Sequence, residues 1–101
     1  MIMFFNDKEI QEKSYEELLK ICKQERKETV DKFIKELEED IKKEMSKGDC
    51  DVKRICNKIC MQEKDIIINF FTQLGFVVEF QEVLTEKIPI YWFNVSWKHL
   101  L

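Results

Sequence analysis

The sequence predicts an α+β fold: one long or broken amphipathic helix plus a second helix packed on a small antiparallel β-hairpin or sheet. Three observations lead there. Of 17 basic and 20 acidic residues, 32 fall in residues 1–65 and only five in 66–101. Eight of the 12 aromatic residues lie in that second stretch. Apolar spacing also changes along the chain, from helical recurrence early to strict alternation near the end. At 101 residues the chain reads as a single small domain, 1–101, because a chain this short does not divide into two cores.

The elements follow in order. The first residues, Met1-Ile2-Met3-Phe4-Phe5, are expected to dock Phe4 and Phe5 on the core. Ser14-Tyr15-Glu16-Glu17 matches the S-x-x-E capping box, in which each end satisfies a backbone donor of the other. Leu18, Cys22, Val30, Phe33, Leu37, Ile41 and Met45 then recur close to one helical face, and Gly48 supplies a left-handed stop. As one straight helix, residues 15–47 would span about 50 Å, against a radius of gyration of about 13 Å for a compact domain of this size. Either the helix breaks within Lys23–Glu28, or it projects and pairs with a second copy.

Residues 50–60 admit two readings. Val52, Ile55, Cys56 and Ile59 have helical spacing. A short strand through Asp51–Asn57, with Cys60-Met61-Gln62-Glu63 imitating a capping box, is the alternative and would make a third strand. The next helix carries Ile66, Ile67, Phe70, Phe71 and Leu74 on one side and stops at Gly75. Phe76–Phe80 reads as a strand, Gln81–Ile88 as its connection, and Ile90–Trp97 as a second strand. In that last strand Tyr91, Phe93, Val95 and Trp97 share the face expected to be buried. Pro89 sits at its start, where a missing donor costs little.

Composition limits function. A net charge of −3 is too balanced for a dedicated nucleic-acid binder. No apolar run approaches the 18–20 or so residues of a membrane span, so no membrane association is expected. Met1–Phe5 is too short an apolar stretch for a secretory leader. The chain is therefore expected in the cytoplasm, with its four cysteines as reduced thiols. Alanine is absent, lysine outnumbers arginine 15 to 2, and isoleucine occurs 12 times, which points to an AT-rich genome.

The residues that could carry chemistry are few. His99, the only histidine, lies near the end of the sequence, and Ser96 falls on the opposite strand face, so no nucleophile–base pair is expected. Gly48 and Gly75 are isolated and form no phosphate loop. Cys50, Cys56 and Cys60 lie within eleven residues, and Cys22 or His99 could complete a tetrahedral zinc site. The usual C-x₂-C knuckle is missing, however, and buried cysteine often serves as a small hydrophobe, so no metal or other cofactor is expected. Ile90, Trp92 and Asn94 lie on the face of the last strand opposite the core, and Lys53, Arg54 and Lys58 supply positive charge nearby in sequence. An outward tryptophan suits a protein contact. With basic neighbours it would also suit stacked bases, although the charge balance of residues 66–101 disfavours nucleic acid.

Phe70-Phe71-Thr72-Gln73-Leu74-Gly75-Phe76-Val77-Val78-Glu79, followed by Tyr91-Trp92-Phe93-Asn94-Val95-Ser96-Trp97, resembles the ending of many small phage and prophage proteins of low-GC bacteria. In these a helix closes with Leu-Gly-Phe, turns into a strand, and a last strand ends near Ser-Trp. The resemblance covers about a third of the chain and implies an origin and a class rather than a catalytic site. Such proteins tend to act by binding host or defence proteins. The expectation is thus a small intracellular regulatory protein that binds a host or bacterial-defence protein without catalysis. A homodimer through the 15–47 helix is a further possibility. The alternatives are a nucleic-acid- or nucleotide-binding module and a structural zinc domain.

Overall fold

The computed structural model describes residues 15–85 and 87–101. Phe4, Phe5 and the Ser14 cap lie outside them. The fold is α+β, a long helix and two shorter ones with a three-stranded antiparallel sheet.

The first helix, α1, runs unbroken over Tyr15–Ser46. The polar stretch at Lys23–Glu28 holds together because it contains no glycine, proline or β-branched residue and is rich in good helix formers. Gln24 Nε2 also donates to Glu28 Oε1 at 3.0 Å, one turn on. Only Val30, Phe33, Ile34, Leu37 and Ile41 of this helix are buried. Leu18, Cys22 and Met45, expected on the same buried face, are exposed. The reason is length. Thirty-two helical residues extend about 48 Å, whereas strands of six to eight residues cover about 20–27 Å.

Residues 50–60 combine parts of both sequence readings. Asp51–Cys56 form strand β1, and Lys58–Gln62 form the short helix α2. The cap between them is Asn57, whose Oδ1 accepts the Cys60 N–H at 2.8 Å, rather than a box starting at Cys60. Helix α3 follows over Lys64–Gln73. It buries Ile67 and Phe71, while Ile66, Phe70 and Leu74 remain exposed, contrary to the broad apolar face expected. Ile68, beside Ile67, is partly buried against the core.

Both glycines end helices. Gly48 and Gly75 have φ of +85° and +94°. At each, two backbone bonds close a Schellman motif: Asp49 N to Glu44 O with Gly48 N to Met45 O, and Phe76 N to Phe71 O with Gly75 N to Thr72 O.

Strand β2 spans Val77–Leu84, longer than expected because the first half of the anticipated connection, Gln81–Leu84, is strand, and β3 spans Pro89–Ser96. In the turn between them, Thr85 Oγ1 accepts the Ile88 N–H at 3.1 Å. The sheet order is β1-β3-β2, so β3 is central and pairs antiparallel on both sides. Tyr91, Phe93 and Val95 point to the same side as Val52, Arg54 and Cys56 of β1 and Val78 and Phe80 of β2. Phe93, Val95, Trp97, Leu37, Ile67, Phe71 and Cys60 form the centre of the core. Phe33 and Phe80 flank Phe93 at ring separations of 5.5 and 5.0 Å. No helix among the described residues is long and apolar enough to cross a membrane.

Candidate functional site on the outer sheet face

All the helix packing falls on one side of the sheet, which leaves the other open among the described residues. The strand register arranges that outer face in rows. Asp51, Ser96 and Val77 form the first, and Lys53, Asn94 and Glu79 the second. Ile55, Trp92 and Gln81 form the third, with Ile90 and Val83 beyond it. One half is thus polar and the other apolar, with Trp92 near the centre of the apolar half.

Trp92 is held by its neighbours. Its indole Nε1–H donates to Gln81 Oε1. Lys53 Nζ lies 5.5 Å from the ring centroid, within cation–π range. Gln81 Nε2 in turn reaches Glu79 Oε2 at 3.4 Å. The ring is therefore half-buried and fixed, with an ammonium over its face and a carboxamide at its N–H edge. Ile55 beside it is 66% exposed. Asn94 contributes an acceptor whose Oδ1 is shielded from solvent yet has no hydrogen-bond partner among the described residues.

The remaining sequence-predicted residues divide. Lys53, Asn94, Trp92 and Ile90 share this face. Arg54 does not join them: strand alternation turns it inward, where Nη2 meets Glu36 Oε2 at 2.7 Å and Nη1 meets Asp40 Oδ2 at 2.5 Å. Its guanidinium also lies 6.0 Å from the Phe33 ring centroid, so this charge fastens the edge strand to α1 and is not free to meet a ligand. Lys58 sits at the start of α2, beside a hollow of about 420 Å³ lined by Ile55, Met61, Ile88 and Ile90. That hollow continues the apolar half of the sheet past its end. Ile55, Gln81 and Val83 were missed from sequence because 50–60 had two readings and 81–88 read as connection. Alternation through Val77, Glu79, Gln81 and Val83 was the available signal.

Compared with protein-family models, with curated proteins and with solved structures, this chain matches none. Its chemistry has to be read from its own side chains.

The fold buries two of the cysteines and leaves the other two more accessible. Cys22 is exposed on α1, Cys50 is partly covered, and Cys56 and Cys60 are buried. No group of three His, Cys, Asp or Glu side chains is gathered for a metal among the described residues. Burial pushes the Cys60 thiol up to about 11, and the neighbouring Cys56 adds to the effect. Burial likewise raises Cys56. Both are protonated near neutrality, which makes them packing groups rather than nucleophiles or ready metal ligands.

Ser96 and His99 turn to different carbonyls. Ser96 Oγ donates to Cys50 O at 3.4 Å. His99 Nε2 lies 2.8 Å from Gly75 O, and since a carbonyl only accepts, that nitrogen carries the proton. His99 therefore ties the 3₁₀ turn Lys98–Leu100 to the end of α3.

Proposed function

We propose that this chain is a small regulatory protein that acts by occupying the surface of another protein, without catalysis. The observation that carries the reading is the apolar half of the outer sheet face, where Trp92 is framed by Ile55, Ile90 and Val83. A half-buried aromatic anchor with aliphatic neighbours, two of them (Ile55 and Val83) exposed, suits protein contacts, and pre-fixing the ring by Gln81 and Lys53 lowers the ordering cost of binding. The AT-rich composition and the resemblance of residues 70–97 to small phage proteins favour a phage or mobile-element origin. A host regulator or a bacterial-defence protein in the host cytoplasm is then the partner class.

The test is affinity capture from a low-GC bacterial lysate with the intact chain and with Trp92→Ala and Ile90→Glu, followed by titration of the purified partner. A protein retained by the intact chain and lost from both variants, with binding little changed by salt, is expected. Equal retention by the variants would sink the proposal.

A nucleic-acid-binding reading retains one supporting observation, the Lys53 ammonium over the Trp92 ring. It loses Arg54 to the ion pairs with Glu36 and Asp40. A steep fall of affinity with salt, together with co-eluting nucleic acid, would favour it.

A further inference from the structure

The two edges of the sheet are not protected alike. β1 and β2 each bond only to the central strand, so each leaves a row of backbone groups on its outer side. β1 is six residues long, turns Lys53 to the outer face and Arg54 inward, and is tied to α1 by that arginine. Short length, a lysine and an inward charge are the devices that keep an edge from adding strands. β2 has eight residues, with no lysine, arginine or proline among them, and its register with β3 runs without a bulge. It is the edge open to a further strand.

Which groups of β2 face outward follows from β3. Trp97 N–H donates to Cys50 O at 3.0 Å, just before β1. Backbone groups alternate sides along a strand, so the odd-numbered residues of β3 turn theirs toward β1 and the even-numbered ones toward β2. Pro89 agrees, because its missing N–H falls on the β1 side, beyond the last β1 pair. The register couples the even-numbered residues of β3 to Val77, Glu79, Gln81 and Val83. The N–H and C=O groups of Val78, Phe80, Glu82 and Leu84 therefore point away from the sheet, bonded to no described residue. The side chains of these four lie on the inner face. Lys64 of α3 stands over Phe80, with Nζ 5.1 Å from the ring centroid. Leu84 is 79% exposed. Glu82 is exposed beside Tyr91 and forms no ion pair with a described residue.

We propose that two copies of this chain pair edge to edge through β2, antiparallel about a two-fold axis perpendicular to the sheet, with Gln81 of each opposite Gln81 of the other. Strand geometry restricts the register. Opposed residues share a face, so the axis passes through a residue position and not between two. Phe80 and Gln81 are the centres that give the greatest overlap of Val77–Leu84. Centring on Phe80 brings the two Lys64 ammonium groups together, and centring on Glu82 opposes two carboxylates. Centring on Gln81 sets Glu82 of each copy against Phe80 of the other, within reach of its Lys64, and Leu84 against Val78. It also opposes the outward backbone groups, Val78 to Leu84 and Phe80 to Glu82, each pair exchanging two hydrogen bonds. The product is one sheet with three strands from each copy. The contact is isologous, so it closes at two copies. It leaves the Trp92 face open and stands whether or not that face binds a partner.

Light scattering of the full chain across a concentration series tests it. The mass is expected to rise from 12.3 kDa toward twice that value. Glu82→Lys and Lys64→Glu, both at exposed positions, are each expected to hold the monomer with an unchanged far-UV circular dichroism spectrum. The two combined are expected to restore pairing. With Cys22 and Cys50 replaced by serine, Gln81→Cys is expected to form a disulfide-linked dimer in air, since opposed residues outside the hydrogen-bonded pairs lie about 4.5 Å apart. Val77→Cys, opposite Thr85 in this register, is expected to stay unlinked. Where a charge variant loses its spectrum, the two cysteine variants decide alone. A monomer at every concentration overturns the proposal. So do dimers that persist in either charge variant, pairing that the double exchange does not restore, or equal linking through Val77→Cys and Gln81→Cys.

Discussion

Adjacent residues of β3 have opposite fates because a strand alternates its side chains between two faces. Phe93 is fully buried between Phe33 and Phe80. Its replacement by alanine is expected to cost about 3–5 kcal/mol, as for other buried aromatics. Trp92→Ala removes one indole bond and one ammonium contact at a partly open site and is expected to cost about 1 kcal/mol. Urea melts that reversed this order would mean the strand faces are misassigned. Cys60 offers a second test. Its folded value of about 11 exceeds the ordinary 9.0, so the folded chain holds a proton that the unfolded chain releases sooner. Its contribution is fully present below pH 9 and is lost as pH rises from 9.0 toward about 11. Chemical denaturation across that window should show falling stability, with a shallower fall in Cys60→Ala. An identical slope in the variant would show that Cys60 is not the group responsible.

Among the elements, α1 has two parts with different support. Val30–Ile41 is pinned to the sheet by the core and by Arg54, whereas Glu16–Glu25 has no contact with the core among the described residues and is held by bonds within the helix, such as Gln24 to Glu28. Amide exchange in dilute solution is therefore expected to be faster over Glu16–Glu25 than over Phe33–Ile41, with α3 protected around Ile67 and Phe71. Uniform protection along α1 in dilute solution would contradict this division. The same elements show where sequence was readable. The glycine stops at 48 and 75 and the buried face of β3 are local properties, set by left-handed φ and by alternation. Where α1 becomes exposed is not local, because nothing in Leu18 or Cys22 states that the sheet has already ended. Nor does Val52-Lys53-Arg54-Ile55-Cys56 declare itself a strand. An arginine on the inner side interrupts the alternation, and its justification, Glu36 and Asp40, lies on another element. Glu82 similarly occupies an inner-facing position of β2, which disguised the second half of that strand as connection.

On the scale of the whole molecule, the radius of gyration is 18.0 Å and the longest extent 60 Å, against about 13 Å expected for a compact domain of this length. The difference comes from α1, whose 32 residues outrun the sheet. The charged first two-thirds and aromatic final third noted in the sequence correspond to this shape, since the solvated helix projects and the final third supplies the sheet centre. Of the candidate site, the Trp92–Ile90–Asn94 face was legible because it rests on alternation within one strand. The partners that complete it, Ile55, Gln81 and Val83, required the strand order, which depends on contacts among segments far apart in the chain.

That strand order also has a consequence for biosynthesis. β1 and β2 do not touch each other in the sheet, and each bonds only to β3, which follows both in the chain. While the polypeptide emerges from the ribosome, both earlier strands must wait with their pairing edges unfilled and the inner faces of Val52, Val78 and Phe80 uncovered. The sheet can form only after β3 has been made, so folding is a late, concerted event rather than a stepwise one. A chain terminated before Pro89 would lack the strand that joins β1 to β2 and would be a ready substrate for chaperones and proteases.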